Sequence, residues 1–459
     1  MGTIHLNSFY EKIKSERILI VGFASKTGLA VAHYLASQSI RFSISELKAD
    51  ERTEKLMEKL PRRPERIFTG PQGIEQLENI DRIIIAPGVP RSIPLISEAG
   101  KRNIPVDSEV AFALNLLKDR DLKVIGITGT DGKSTTSALT AHILSRVYST
   151  YLLGNFGEPL IARMNEIKDG DVVVLELSSY QLEDGEKYRL NGATIINVAP
   201  DHLNRYADMN EYRMAKEKIF INQEPADVAV LGAQKSFFES WKKQTKARII
   251  RYDFGAGADF SYHDKAVWYL DQILISDEDI LLKGEHNREN IMIASAFAHY
   301  FGVSLKTIRE AVADFRGLEH RTEYLGRRRG VDFINDSKAT TVQAVIKSLS
   351  TAQDSIILIL GGSDKKLDFT ELRPYLKDRV KKVICYGETK DTIAAALNFP
   401  ALETVFEFDQ AFALAVRNAQ AGDTVLLSPG CASFDQFNSY EERGQRFKNL
   451  VENYEKETF

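Results

Sequence analysis

Residues 128–136 read Thr-Gly-Thr-Asp-Gly-Lys-Ser-Thr-Thr. They follow a β-branched run, 123–128, and open a helical stretch, 134–145. This context suits a phosphate group. Glycines let backbone N–H groups close on phosphate oxygens, and a helix N-terminus adds partial positive charge. The loop residues Gly129, Thr130, Asp131, Gly132 and Thr135 would wrap a nucleotide's phosphates. Lys133 would reach the β- and γ-phosphates, and the Ser134 hydroxyl would ligate Mg²⁺. The strict G-x-x-x-x-G-K-[ST] spacing is not met, because Ile127 stands at the first-glycine position. The flanking strand and helix still predict nucleotide binding.

Other polar residues sit where strands should end. Residues 22–28 (GFASKTG) resemble a dinucleotide turn, with Ala24 at the middle-glycine position and one extra residue. Glu46 ends the next strand, 41–45, where such folds place an acid on a ribose hydroxyl. Glu176 follows the run 171–175 and could hold a second side of Mg²⁺. His202, beside Asp201 after the strand 193–197, is a candidate metal or phosphate contact. Residues 209–220 read as a helix with Tyr212, Ala215, Ile219 and Phe220 on its apolar face. Spacing puts Lys216 and Lys218 in solvent.

The elements that must carry these residues alternate along the chain. Nine short apolar runs (17–22, 82–86, 123–128, 171–175, 193–197, 227–231, 355–360, 381–385 and 423–427) read as strands buried on both faces. Helical patterns lie between most of them. The rhythm predicts an α/β fold of parallel sheets with helices on both faces. At 459 residues the chain has room for about three domains. Breaks follow 106–108, before the charged link 119–121, and 315–318, giving expected domains of 1–111, 112–317 and 318–459. The charged stretch 48–66 reads as a solvated helix and turn.

Composition excludes several classes. With 60 Lys and Arg against 64 Asp and Glu, the net charge of −4 gives no electrostatic case for nucleic acid or an anionic membrane. Two cysteines cannot build a disulfide framework or a four-ligand zinc site. No apolar run approaches the ~20 residues that span a bilayer. The first residues show neither a signal-peptide core nor a myristoylation pattern. A cytoplasmic enzyme acting on small molecules is the expectation, with a monomer as its working unit.

In order along the chain stand GTDGKST (129–135), GNFG (154–157), ELSSYQL (176–182), NVAPDHLNRY (197–206), EYRMAKEKIF (211–220), GEHNREN (284–290), GLEHR (317–321), NDSKAT (335–340), GGSDK (361–365) and SPGCASFDQF (428–437). Together they resemble the Mur ligases, ATP-dependent amide-forming enzymes of peptidoglycan precursor synthesis. The first half of the series is shared with folylpolyglutamate synthetases. NDSKAT and SPGCASFDQF resemble the D-glutamate-adding branch, whose acceptor is UDP-N-acetylmuramoyl-L-alanine.

The resemblance implies three domains: a Rossmann-like N-terminal domain for the UDP portion, a central phosphate-loop ATPase, and an α/β C-terminal domain that closes over the site and binds the amino acid. It places Lys26, Thr27, Glu46 and Gly88 near the uridine diphosphate, and Asn155 and His202 along the muramoyl-L-alanine end. Lys133, Ser134 and Glu176 match triphosphate and first-Mg²⁺ positions. Asn287, Asn290, His320, Arg321 and Asp336 match ATP-binding positions, and Lys338, Thr340, Lys366, Ser433 and Tyr440 the D-glutamate region. It also implies that Lys216 is carbamylated by CO₂ and, with His202, ligates a second Mg²⁺. Lys133, Glu176, His202 and Lys216 are thus the expected catalytic set.

Two positions depart from the family pattern: Asp131 stands where Asn is usual, and Tyr440 where Phe is frequent. The implied chemistry is attack of the L-alanine carboxylate on the γ-phosphate, giving an acyl phosphate and ADP, followed by attack of the D-glutamate amine.

The nearest rival is another Mur-type or folylpolyglutamate-type ligase. A diamino-acid ligase should carry an Asp-Asn-Pro-Arg type motif, which is lacking here. A nucleotide-binding switch would not need Glu176, His202 and the C-terminal lysines together. An NAD-dependent oxidoreductase rests on the first glycine loop alone.

Overall fold

The computed structural model describes residues 8–48, 51–200, 205–282, 284–352, 355–364 and 367–456. Among them the strands form three sheets. The first contains Ile18–Val21 (β1), Phe42–Glu46 (β2), Ile67–Thr69 (β3), Arg82–Ile85 (β4) and Val106–Ser108 (β5), all parallel in the order β3-β2-β1-β4-β5. Strands β1 and β4 are buried along their whole length, as the unbroken apolar runs require.

The second sheet contains Lys123–Thr128 (β6), Thr150–Gly154 (β7), Val172–Glu176 (β8), Gly192–Ile195 (β9), Val228–Gly232 (β10), Arg248–Phe254 (β11), Phe260–His263 (β12), Ala266–Tyr269 (β13) and Gln272–Ser276 (β14). Their order is β14-β13-β12-β11-β10-β9-β6-β8-β7. The third contains Glu323–Arg328 (β15), Val331–Asn335 (β16), Ile356–Gly361 (β17), Val380–Tyr386 (β18), Leu402–Thr404 (β19) and Thr424–Gly430 (β20), in the order β15-β16-β20-β17-β18-β19.

The α/β rhythm agrees with the sequence reading. The all-parallel expectation does not hold at two edges. Strands β12, β13 and β14 form an antiparallel meander, and β15 pairs antiparallel with β16. The connections explain this. Asp264 and Lys265 join β12 to β13 with φ of 49° and 56°, and Arg329 and Gly330 join β15 to β16 with φ of 51° and 80°. Two-residue turns of this hand close hairpins, whereas a parallel crossover needs a dozen residues or more.

The chain divides into two compact units. One holds residues 1–280 and 285–314, and so both the first and second sheets; the other holds 281–284 and 315–459 with the third sheet. The first unit has a continuous apolar core that includes Ile18, Ile44 and Phe112 from the N-terminal part and Leu175, Ile195 and Phe220 from the central part. In the second unit, separate clusters line the two faces of its sheet: Leu358 and Leu426 on one, Ile359 and Leu427 on the other.

Candidate functional site

The phosphate loop leaves the carboxyl end of β6, the position where ligands bind in open α/β sheets. Ile127 is fully buried inside β6 and paired with Glu176 of β8. The loop therefore begins two residues after the place where the strict motif puts glycine. Gly132 adopts φ +79° and caps the helix Lys133–Leu144. A left-handed conformation of this kind favours glycine.

Asn197, just past β9, holds the loop's shape. Its Oδ1 accepts N–H bonds from Thr130 (3.0 Å) and Asp131 (2.9 Å). The Thr130 hydroxyl lies 3.2 Å from the Ala199 carbonyl and 3.3 Å from the Tyr212 hydroxyl. Asp131 is exposed.

Two lysines converge on one carbonyl. Lys133 Nζ donates to the carbonyls of Gly129 (2.9 Å) and Thr130 (2.8 Å), and Lys216 Nζ to that of Gly129 (2.9 Å). The expectation of a solvated Lys216 is overturned: the residue is 1 % exposed. The helix that carries it, Met209–Glu217, also turns Tyr212 inward, and the ammonium lies over that ring at 4.6 Å. Residues 218–220 then tighten into a 3₁₀ turn.

Glu176 is the last residue of β8 and is 2 % exposed. Asn155 Nδ2 donates to its Oε1 at 2.7 Å, while Oε2 is buried with no hydrogen-bond partner among the described residues. A buried carboxylate oxygen left unsatisfied is costly unless a cation or donor meets it. Ser134 is buried at the first turn of the adjacent helix. Among the described residues no three His, Cys, Asp or Glu side chains gather as a metal-binding group. One carboxylate and one hydroxyl do suit a hard cation that takes its other ligands from phosphate and water.

Asn287 and Asn290 reach the same loop from the helix Glu285–Tyr300. Asn290 Oδ1 accepts the Thr136 hydroxyl (2.9 Å), and its Nδ2 donates to Asn287 (2.9 Å). Thus Gly129–Thr135, Asn155, Glu176, Lys216, Asn287 and Asn290 lie around one phosphate loop. His202 and Lys366 lie outside the described residues.

The N-terminal candidates gather at the carboxyl ends of β1, β2 and β4. Glu46 faces the first glycine loop, accepting the Ala24 N–H at 2.8 Å. Ser25 caps the next helix by accepting the Gly28 N–H at 2.9 Å. A side chain on Gly28 would lie 2.4 Å from the Gly22 carbonyl, so glycine is required for this approach. Lys26 donates to the Gly157 carbonyl of the central part. Thr27 is partly buried in the first turn of its helix, and Gly88 is exposed.

In the second unit Lys338 lies over the Tyr440 ring at 5.2 Å, and His320 meets that ring edge-on at 6.4 Å. Burial lowers the His320 pKa below its ordinary value and pushes the Tyr440 hydroxyl up to about 12. Asp336 is buried and accepts the Thr322 N–H (3.0 Å) and the Ser428 hydroxyl (3.1 Å); burial still raises its pKa to about 6. Arg321 has a buried Nε with no partner among the described residues. Ser433 is buried and Thr340 half-buried.

Sequence reasoning missed Arg443. Its fully buried guanidinium donates to the Ser337 hydroxyl (2.9 Å) and to the carbonyls of Ser337 (2.8 Å), Cys431 (3.1 Å) and Ala432 (3.2 Å). It thereby ties the loop of Lys338 to the loop of Ser433. The local pattern Glu-Glu-Arg-Gly reads as a solvated helix start. The one signal is Gly444, where a Cβ would fall 2.2 Å from His320 Nδ1.

Comparison with known proteins adds to this geometry. Family models match three stretches: the Mur ligase MurD-like N-terminal domain at residues 16–108, the Mur ligase middle domain at 127–298, and the Mur ligase glutamate ligase domain at 320–431. Proteins named UDP-N-acetylmuramoylalanine–D-glutamate ligase are similar over almost their whole length. The one from Koribacter versatilis is 37 % identical over 448 residues, covering 96 % of this chain and 98 % of that one. The one from Alkaliphilus metalliredigens is 35 % identical over 460 residues, with the same coverage. Among solved structures, UDP-N-acetylmuramate-alanine ligase MurC from Thermotoga maritima superposes with a TM-score of 0.60 at 21 % identity, covering 95 % of this chain and 99 % of that one. That likeness concerns the fold.

Proposed function

Because this chain belongs to the Mur ligase family, we propose that it joins D-glutamate to the L-alanine carboxylate of UDP-N-acetylmuramoyl-L-alanine, with ATP as the energy source, in peptidoglycan precursor synthesis. Relatives of that name match it from end to end. The observation that carries the chemistry is the phosphate loop set between a buried Glu176, one of whose oxygens has no partner among the described residues, and a buried Lys216.

The reacting groups are a carboxylate and a triphosphate, so catalysis needs charge neutralisation and alignment more than covalent help from the protein. Lys133 and the first-turn amides of its helix would hold the β- and γ-phosphates, with Asn287 and Asn290 fixing the loop's far side. Ser134, Glu176 and His202 are the proposed Mg²⁺ ligands, with Lys216 as a further ligand for a second ion once carbamylated. Bound Mg²⁺ supplies charge neutralisation on the phosphate oxygens. The L-alanine carboxylate attacks the γ-phosphate in line, ADP leaves, and the amine of D-glutamate displaces phosphate from the acyl carbon.

Lys26, Thr27, Glu46, Gly88 and Asn155 are proposed for the nucleotide-sugar. His320, Arg321 and Asp336 are proposed for ATP, and Lys338, Thr340, Lys366, Ser433 and Tyr440 for D-glutamate. We place the domain boundaries near 111 and 317; the break between the two compact units, at 314/315, supports the second. No helix among the described residues is long and apolar enough to cross a membrane, and we take the enzyme to be a cytoplasmic monomer. The test is ADP release with UDP-N-acetylmuramoyl-L-alanine and a panel of amino acids. Turnover with D-glutamate and with no other amino acid of the panel is the expected result; turnover with L-alanine or a diamino acid in its place, or with a folate in place of the nucleotide-sugar, would overturn the assignment.

A further inference from the structure

A small hollow lies at the carboxyl end of β4. Its lining includes Ala86, Val89 and Arg91 of the loop after β4, together with Tyr180, Glu183 and Arg205 of the central part. Gly88 belongs to the same loop. Two guanidiniums meet one carboxylate here. Arg205 donates to Glu183 Oε1 from Nε (3.0 Å) and Nη2 (2.9 Å), and to Oε2 from Nη2 (3.0 Å). Arg91 Nε donates to Glu183 Oε2 at 2.9 Å, while its Nη2 reaches Asp184 at 2.6 Å. Asp184 is 1 % exposed and also accepts the Ser108 N–H at the end of β5. Arg205 lies over the Tyr180 ring at 4.4 Å and donates to the Val89 carbonyl at 3.3 Å.

We infer that Glu183 is a positioning residue for the nucleotide-sugar substrate: its single carboxylate locks Arg91 of the loop after β4 to Arg205 of the loop after β9, and so sets the wall of the hollow beyond β4. This rests on the proposed function. Bidentate arginine–carboxylate pairs fix orientation as well as proximity. Glu183 and Arg205 side chains are 17 % and 16 % exposed, so solvent screens the pair only partly. Without the carboxylate, two like charges would face each other beside the Val89 carbonyl, and the loop that carries Gly88 would shift. The phosphate loop lies on β6, whereas the side-chain partners of Glu183 among the described residues are Arg91 and Arg205, so ATP binding should not feel the change.

The test is steady-state kinetics of E183Q, R91K and the double variant, with the KM of each substrate measured separately. Glutamine keeps the volume and removes the charge. E183Q should raise the KM for UDP-N-acetylmuramoyl-L-alanine roughly tenfold or more. Its KM for ATP and its kcat should stay within about twofold, and R91K added to E183Q should cost little further, since both act through one network. E183D, which retains the charge, should recover part of the loss. An unchanged KM for the nucleotide-sugar in E183Q, or an equal loss toward ATP and nucleotide-sugar, overturns the role. Wild-type enzyme in the same series separates the two layers: no ADP release there removes the proposed function, whereas normal wild-type turnover with an unaltered E183Q removes only the positioning role.

Discussion

Lys216 shows how far a side chain's neighbours outweigh its type. On a helical wheel it is an ordinary solvated lysine, yet it is buried against Tyr212 with its nitrogen 2.9 Å from the Gly129 carbonyl. As a carbamate, Lys216 would keep one N–H for that carbonyl and present an anion beyond it. Lys216→Ala should therefore lose nearly all ligase activity, and short carboxylic acids added to the assay should restore part of it. Full activity in Lys216→Ala would contradict the proposal. Asn197 acts on the same loop from the other side. Asn197→Ala removes the acceptor of two loop N–H groups, each bond worth about 1 kcal/mol. The KM for ATP should rise on the order of tenfold, with the KM for the nucleotide-sugar unchanged; equal effects on both would place Asn197 outside ATP binding.

At the scale of elements, strands buried on both faces were readable because their apolar runs have no polar face to confuse the pattern. The phosphate loop was readable because glycine, lysine and serine types cluster there and nowhere else in that order. The meander β12–β14 was not, since the turn Asp264-Lys265 adopts φ > 0 without glycine. Contacts between elements were also hidden. Glu109 opens the helix Glu109–Leu117 and looks like an ordinary N-terminal acid. In the fold it is buried, accepting the Ile161 N–H at 2.6 Å, with Oε2 unpartnered among the described residues.

Burial outweighs those N–H bonds and raises the Glu109 carboxyl from 4.5 to about 7. The folded pKa lies above the unfolded one, so the unfolded chain loses its proton first as pH rises. The contribution to stability is complete below pH 4.5 and is lost as pH climbs to about 7. Glu109→Gln cannot ionise. Its melting temperature relative to wild type should therefore improve between pH 5 and pH 8, by an amount equivalent to about 2–3 kcal/mol. Parallel melting curves across that range would contradict this reading.

For the whole molecule, a net charge of −4 conceals the local balance. Lys133 and Lys216 share one carbonyl at the phosphate loop, Arg91 and Arg205 share one carboxylate beyond β4, and Lys338 lies over Tyr440 in the second unit. Cations are thus placed near the carboxyl ends of strands in all three sheets. The order of motifs along the chain was enough to read the family, whose three domain models match in that order. The clamps Glu183 and Arg443 were not legible, because each also binds a residue far off in the chain: Arg91, 92 positions from Glu183, and Ser337, 106 positions from Arg443.

The claim common to these three scales is that ATP activates the L-alanine carboxylate as an acyl phosphate. UDP-N-acetylmuramoyl-L-alanine carrying ¹⁸O in that carboxylate tests it directly. The phosphate released with D-glutamate and ATP should contain one ¹⁸O atom per turnover, observed by its isotope shift in ³¹P spectra. Unlabelled phosphate, with the amide formed at the usual rate, would contradict the account.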